Sequence, residues 1–336
     1  MHAMDTPERG PRVGQRVVVR HRLEHPDPRT GATLTDVVGD LLDDTARVLV
    51  VRTRRGDVSV PRSAVTALKV LPPRPSRRGA PHRALSVADL ERAMLGAWPA
   101  ETTDRLGGWV LRSSGGFTQR ASSALAVGDP GLPLDRAVDA VEAWYAERDR
   151  PSWVTVPLPL GGDVAADPLG ALLLARGYAP RVPTVCLTAA TREVLASAGG
   201  RATSPPPVRL TETLEDAWFA AYGTYRDADP ARARAVLTGS PAQVFGAVDG
   251  PDGRPVAIGR LGVAEAWGGV AAMWTRPDHR RRGLATAVLG ALAGAALERG
   301  AGSLHLQTDG DNPGALATYR AHGFAPHHEY VTLRRG

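Results

Sequence analysis

The chain has 336 residues, is 43% hydrophobic and carries a formal net charge of +6, with Lys69 as its only lysine, so arginine supplies the basic balance. That length suffices for two or three domains with cores of their own. No apolar run approaches the ~20 residues of a bilayer span, the stretch Met1–Glu8 lacks the apolar segment of a secretory signal, and the one cysteine excludes an internal disulfide framework, so the expected compartment is the cytoplasm.

Residues 11–73 predict a small all-β module. Val13–Arg20 alternates apolar and polar positions, and a turn-rich loop, His25–Gly31, leads into Thr35–Leu42. Arg47–Thr53 and Asp57–Pro61 flank the turn Arg55-Gly56-Asp57 as a hairpin would. Short strands at this spacing read as an SH3-like barrel. Its plainest role is structural or oligomerising, with peptide or nucleic-acid binding as the alternative. Residues 74–84, extended by prolines, read as a linker.

Residues 85–197 form a second segment. Ser86 is placed to cap a helix over Val87–Gly96. Gly108–Arg112 and Ser122–Val127 read as strands around the turn Ser113–Gly116. Leu134–Arg148 sets Ala137, Val138, Val141, Trp144 and Tyr145 at helical spacing. Trp153–Val156 reads as a strand, and Leu169–Arg176 as a helix closed by Gly177-Tyr178. Cys186 lies in the apolar run Pro183–Leu187 and reads as an inert core thiol. Ala198–Pro207, rich in Gly, Ser and Pro, is a second linker.

Residues 207–336 follow. Glu212–Ala221 and Ala231–Leu237 read as helices. Gln243–Val248, Pro255–Val263 and Gly269–Thr275 read as consecutive antiparallel strands, the first two joined by the turn Asp249–Gly253. Arg280-Arg281-Arg282-Gly283-Leu284-Ala285 then runs directly into the Ala/Leu-rich helix Thr286–Arg299. The first turn of a helix leaves amides without partners, and its dipole favours an anion there. Gly283 lets a ligand approach the backbone, and three arginines add charge, so the expected ligand is a pyrophosphate. Leu304–Thr308 reads as a strand, and Asn312-Pro313-Gly314-Ala315 starts a helix that carries Tyr319 and ends at Gly323-Phe324.

These two blocks, Arg280–Ala285 and Asn312–Phe324, resemble the paired signatures of the GCN5-related N-acetyltransferase superfamily over the last ~130 residues, about one domain's worth. The resemblance implies an α/β (α+β) acetyltransferase fold, a mixed central sheet flanked by helices, with acetyl-CoA as cosubstrate. It implies that the pantetheine arm pairs with the backbone at Ala272, Met273 and Trp274. It further implies that the amides of Arg282, Gly283, Leu284 and Ala285, beside Arg280 and Arg281, cradle the pyrophosphate. Asn312 matches a cofactor-contacting asparagine, the alternative being a plain helix N-cap before Pro313, and the two roles are compatible. Tyr319 matches the tyrosine that reaches the CoA sulfur and would act as general acid, the bland alternative being a core tyrosine. Glu265, just past the strand ending at Val263, is the candidate general base, against a plain solvent-facing turn carboxylate. His279, His327 and His328 are lesser candidates. No His/Cys/Asp cluster has metal-ligand spacing, and no metal is expected.

An internal repeat accompanies the resemblance. Ala175-Arg176-Gly177-Tyr178-Ala179-Pro180 matches Ala321-His322-Gly323-Phe324-Ala325-Pro326, and both halves run long helix, strand, short helix, Gly-aromatic, strand. The first copy has Gly128-Asp129-Pro130-Gly131-Leu132-Pro133 where the second has arginines, and Leu173 where the second has Tyr319. The expectation is two tandem lobes, 85–197 degenerate and 207–336 catalytic, the first lending one wall of the substrate cleft. The function expected is acetyl transfer from acetyl-CoA to a primary amine of a small molecule or protein. The rival is an acyl-CoA-sensing or nucleic-acid- or peptide-binding regulatory protein. Dispersed arginines argue against nucleic acid, no membrane partner is expected, and the acceptor and a homodimer are left open.

Overall fold

The computed structural model describes residues 11, 13, 15–26, 31–53, 56–70, 82, 84–199 and 206–336. The stretches 27–30, 54–55, 71–81 and 200–205, on which most of the expected loops and linkers fall, lie outside the described residues. The chain divides into two compact units, Met1–Pro75 and Ser76–Gly336.

In the first unit, β1 (Arg16–Arg22), β2 (Leu34–Asp44), β3 (Val48–Thr53), β4 (Gly56–Pro61) and β5 (Val65–Val70) form one antiparallel sheet in the order β4-β3-β2-β1-β5. Val17, Val19, Leu41, Leu49, Val51 and Val60 are fully buried, as period-two alternation requires of a sheet with one covered face. A bulge between Leu41 and Asp43 bends β2. A Cβ at Gly39 would lie 2.0 Å from the carbonyl oxygen of Arg52, so glycine there permits the two backbones to meet. A short 3-10 turn, Arg62–Ala64, carries the chain from β4 into β5, which joins β1. β4 and β5 therefore stand at opposite edges, with no pairing between them among the described residues. The closed barrel expected from the sequence is corrected to an open antiparallel sheet.

The second unit begins with α1 (Val87–Leu95), β6 (Thr102–Leu106), β7 (Trp109–Ser113), β8 (Ala124–Leu125), α2 (Leu134–Ala146), β9 (Trp153–Leu158), α3 (Pro168–Ala175), β10 (Tyr178–Pro180), β11 (Thr184–Ala190) and α4 (Thr191–Gly199). It continues with β12 (Arg209–Thr211), α5 (Asp216–Gly223), α6 (Pro230–Thr238), β13 (Ala242–Asp249), β14 (Pro255–Ala264), β15 (Trp267–Thr275), α7 (Leu284–Glu298), β16 (Ser303–Asp309), α8 (Pro313–Ala321) and β17 (Ala325–Arg335). Most of these elements lie within a few residues of their expected positions. α4, β12 and β6 are the departures, β6 being an exposed edge strand with no apolar alternation.

All these strands share one twelve-stranded mixed sheet, whose main path is β12-β13-β14-β15-β16-β11-β17-β9-β8-β7-β6, with β10 beside β17. The two halves are not separable lobes. β11, from the first half, pairs antiparallel with β16 from Thr184↔Asp309 to Ala190↔Ser303. β17, from the second half, pairs antiparallel with β9 from Glu329↔Leu158 to Arg334↔Trp153. Each half's last strand completes the sheet of the other. The boundary placed at 197/207 thus marks a sequence repeat and not a physical division.

Every residue of β14 is buried, so it reads as a near-continuous apolar run. Its one cation, Arg260, is fully buried and donates to the carbonyls of Leu237 (2.7 Å) and Ala97 (2.8 Å) and to Ser240 Oγ (2.7 Å). Desolvation lowers its pKa to about 9. α7 is apolar on all sides because it is covered by the sheet on one face and by α4 on the other. A Cβ at Gly290 would stand 2.8 Å from that of Ala198, which is why the two helices cross closely there. Among the described residues no helix is long and apolar enough to cross a membrane.

Candidate functional site

β15 and β16 are the only adjacent strands of the second half that run parallel, and they pair only from Trp267↔Ser303 to Val270↔Leu306. Beyond those residues the strands part, and a cleft of about 440 Å3 opens between them. β15 changes course at the same point. Its register against β14 passes from Arg260↔Ala271 to Ile258↔Trp274, so Ala272 and Met273 together face Gly259. Ala272 sits at φ +53, and a Cβ at Gly259 would meet Met273 Sδ at 2.4 Å. A bulge re-aims backbone groups away from the ladder. Here it falls where the strand on the other side has departed, so the backbone at Ala271–Met273 borders the cleft.

Just past β15, a 3-10 turn at Pro277–His279 leads into Arg280–Gly283 and then α7. Arg281 (φ +63) and Gly283 (φ +77) are both left-handed, and Gly283 is the N-cap of α7 with no side-chain cap. The bond Ala287 N–H to the Gly283 carbonyl (3.0 Å) opens the helical ladder, so the amides of its first turn point out of the helix end. A Cβ on Gly283 would meet no atom within 4 Å, so the space above these amides is open. The arginine side chains are less concentrated than the sequence suggested. Arg280 donates to the Thr275 carbonyl (3.3 Å) and Arg282 to that of Asp278 (3.0 Å), both folding back onto the turn. His279 packs on Arg276 and bonds Asp278 at 2.9 Å. That hydrogen bond, with the one from Arg276, holds the Asp278 carboxyl at about 2. His279 is therefore committed to the turn.

Asn312 caps α8 by accepting from Ala315 N–H (3.0 Å) and also lines the cleft, so both roles foreseen for it are compatible. Tyr319, on the same helix, lines the cleft with its ring edge-on to Phe324 at 5.8 Å. Burial raises its phenol to about 12. Trp274 stacks on Tyr225, with centroids 5.7 Å apart and planes 3° apart, and supports the cleft from behind.

Glu265 does not join this group. With Ala266 it forms the tight β14–β15 turn, both residues at positive φ and exposed. The turn stands at the end of β15 opposite to Ala272, roughly 17 Å away along the strand at ~3.3 Å per residue. The base assigned from sequence is corrected on that ground. The carboxylate that does line the cleft is Asp309, exposed at the end of β16.

The far wall comes from the first half: Trp98, Thr118 and Arg120 line it, with Thr184 of β11. Arg120 Nη1 donates to Gln307 Oε1, its guanidinium lies 4.7 Å from the centre of the Trp98 ring, and Tyr330 donates to the same Gln307 oxygen at 3.2 Å. No sequence motif marked Arg120, because its partner is 187 positions away.

Beneath this wall, Cys186 and His328 face each other across β11 and β17, and Glu91 of α1 reaches both. His328 Nε2 lies 2.8 Å and Cys186 Sγ 3.8 Å from Glu91 Oε1. Spacing in the sequence could not reveal this buried trio. The thiol is held well above its ordinary value by burial and then by Glu91, which keeps it protonated and unreactive. His327 turns away from the cleft to the Leu85 carbonyl at 2.9 Å.

The family described as "Probable histone acetyltransferase Rv0428c C-terminal" matches residues 86–333. The family described as "Rv0428c N-terminal Sm-like domain" matches residues 11–69, which replaces the SH3-like expectation for the first unit. The probable histone acetyltransferase Rv0428c of Mycobacterium tuberculosis (strain ATCC 25618 / H37Rv) is 36% identical over 168 residues, 47% of this chain and 49% of its own length. The chain thus matches about half the length of that curated relative. A GCN5-related N-acetyltransferase from Kribbella flavida aligns with a TM-score of 0.54 at 22% identity, over 74% of this chain and 95% of that one. A tandem GNAT protein from the clavulanic acid biosynthesis pathway aligns at 0.51 and 16% identity, over 75% and 88%. These identities establish a common fold. The chain belongs to the Rv0428c C-terminal family, and its second unit has the tandem fold of the GCN5-related N-acetyltransferases.

Proposed function

We propose that the chain transfers the acetyl group of acetyl-CoA to a primary amine. The observation that carries this reading is the parting of β15 from β16 beside the open first turn of α7. One face offers an unpaired strand edge to an extended arm, and the other offers amides and a helix dipole to a diphosphate. Acetyl-CoA would supply the thioester; the chain's own residues do the rest. Backbone N–H groups at the Ala272 bulge would hold the carbonyl oxygen as negative charge develops on it. Tyr319 would hold a proton for the departing sulfur, and its raised pKa keeps that proton in place throughout the neutral range.

The test is release of CoA thiol from acetyl-CoA with a panel of primary amines, for the wild-type chain and Tyr319→Phe. The variant is expected to lose about 10²-fold in kcat, the low end for a general acid, with acetyl-CoA affinity kept. Unchanged turnover would remove Tyr319 from the reaction. Binding of acetyl-CoA with no thiol released from any amine would favour a sensing role over transfer.

A further inference from the structure

The charges around the cleft are lopsided. Arg120, Arg181 and Arg226 line it against one carboxylate, Asp309. Among the described residues none of the three arginines makes an ion pair, whereas neighbours outside the cleft do: Arg232 with Glu101 (2.7 Å), Arg234 with Asp216 (2.7 Å) and Arg276 with Asp278 (2.8 Å). Arg120 is the telling member. It is half-buried, on the wall contributed by the first half. Its described partners are a neutral amide oxygen, that of Gln307, and the face of Trp98. Burial depresses its pKa, desolvation being the largest cause. A guanidinium carries five N–H donors in a planar fork suited to an oxyanion; Glu91, a carboxylate whose charge it feels, is bonded to His328 and Cys186 and makes no ion pair with it. The fully buried arginines of the unit are arranged differently. Arg112 and Arg260 are satisfied by carbonyl and hydroxyl oxygens inside the core and do not border the cleft.

We infer that the acceptor is a small primary amine bearing an oxyanion group, a carboxylate or a phosphate, which Arg120 receives with Arg181 and Arg226 at the mouth. This rests on the transfer reading above and narrows it. The group that is cationic in the free acceptor has to lose its charge to react, while its anionic end is drawn to the first-half wall. That orients the nitrogen toward β15 and Tyr319. A cleft of about 440 Å3, shared with a thioester arm, is the size for a small acceptor. A Lys- and Arg-rich histone tail meets like charge in the same place, so the word "histone" in the relative's name does not extend to this chain. Arg120 acts here as a binding and positioning group and takes no part in bond making.

The experiment uses the full chain and matched pairs of acceptors: amino acids beside their carboxamides, and aminoalkyl phosphates beside the parent amino alcohols. A Lys/Arg-rich tail peptide is the counter-example. CoA thiol release is expected to favour the anionic member of a pair by at least 10-fold in kcat/KM, and the preferred pair says whether carboxylate or phosphate is the natural group. Arg120→Gln is expected to erase that preference by raising KM for the anionic members of each pair at least 10-fold more than for their neutral partners, with the larger change in KM and not in kcat; Arg226→Gln, at an exposed position, should weaken the preference without erasing it. Equal rates within every pair, a tail peptide that outperforms the small anions, or a preference that survives in both variants would overturn the inference. Calorimetric titration of the same small amines into the CoA-saturated chain reads the anion site without turnover. Binding of anionic members without transfer would sink the transfer reading alone, and no discrimination in binding would sink this one.

Discussion

The two halves of the second unit each carry a long helix after a left-handed glycine, and the surroundings of the two helices differ in what they offer an anion. α2 and α7 each follow a left-handed glycine with open space above it, Gly131 and Gly283, both at φ +77. Neither helix has a side-chain cap. The difference lies in what meets the amides. Before α2, Asp129 accepts from Gly131 N–H at 2.8 Å, and Asp135 follows in the first helical turn. Two carboxylates of the chain thus stand beside the start of α2, where they oppose the approach of an anion. Before α7 there is no acid in the first turn, and the flanking residues are arginines. The contrast recurs one helix later, where Leu173 is sealed in the core and Tyr319 borders the cleft. In the function proposed above, one scaffold would serve as a wall in the first half and as a site in the second.

The strand exchange is the largest feature by which this comparison is open to attack. If the second half were a self-sufficient enzyme, residues 207–336 would fold alone. They lack β11, whose Leu187 and Ala189 are fully buried and whose Thr184 lines the cleft. Removing that strand exposes the edge of β16 and the apolar core under it, at a cost of several kcal/mol against the about 5–15 kcal/mol that holds a typical domain together. The expected outcome is a fragment that shows no cooperative unfolding transition in urea and does not bind acetyl-CoA. A folded, binding-competent fragment would show that the halves are independent after all.

A smaller effect distinguishes how the two halves satisfy buried polar groups. In the first, Thr155 Oγ1 bonds both Ser123 Oγ and Thr332 Oγ1 at 2.9 Å. In the second, His305 of β16 is buried, and among the described residues neither ring nitrogen has a partner. Desolvation, then Arg120, depresses its pKa to about 3, so it is neutral in the folded chain. An unfolded histidine titrates near ~6.5. As pH falls below that value the unfolded state takes up a proton that the folded state refuses, so stability is lost between ~6.5 and ~3. At about 1.4 kcal/mol per pH unit, this residue accounts for about 2 kcal/mol between pH 6.5 and 5. Urea midpoints over that range are expected to fall less steeply for His305→Gln than for the wild type. Parallel slopes would show that His305 is protonated, or partnered, in the fold.

The sequence disclosed what depends on neighbours in the chain. The apolar alternation of β1 and β3, the Ser86 cap, which accepts from Asp89 N–H at 3.1 Å, and the Gly283 turn all arise from local chemistry. The repeat at Gly177 and Gly323 was legible, both residues left-handed at the ends of matching helices. Its physical meaning was not, because nothing in the order of elements says that β11 and β17 trade sheets. Glu265 was misplaced for a related reason. Closeness to the cleft-forming strand in sequence says nothing about which end of the strand it occupies. Arg120, Gln307 and the trio Glu91, Cys186 and His328 are brought together only by that exchange of strands, and no local pattern marks any of them.

Calorimetric titration of acetyl-CoA into the full chain, with Gly283→Val and Gly131→Val as paired variants, tests the comparison most directly. A valine is disfavoured to a similar degree at either left-handed position, by roughly 1–2 kcal/mol, so folding alone does not separate the two variants. One acetyl-CoA is expected per wild-type chain, with binding weakened at least 10-fold by Gly283→Val and untouched by Gly131→Val. Two molecules bound per chain, or loss of binding from Gly131→Val with Gly283→Val unaffected, would contradict that expectation.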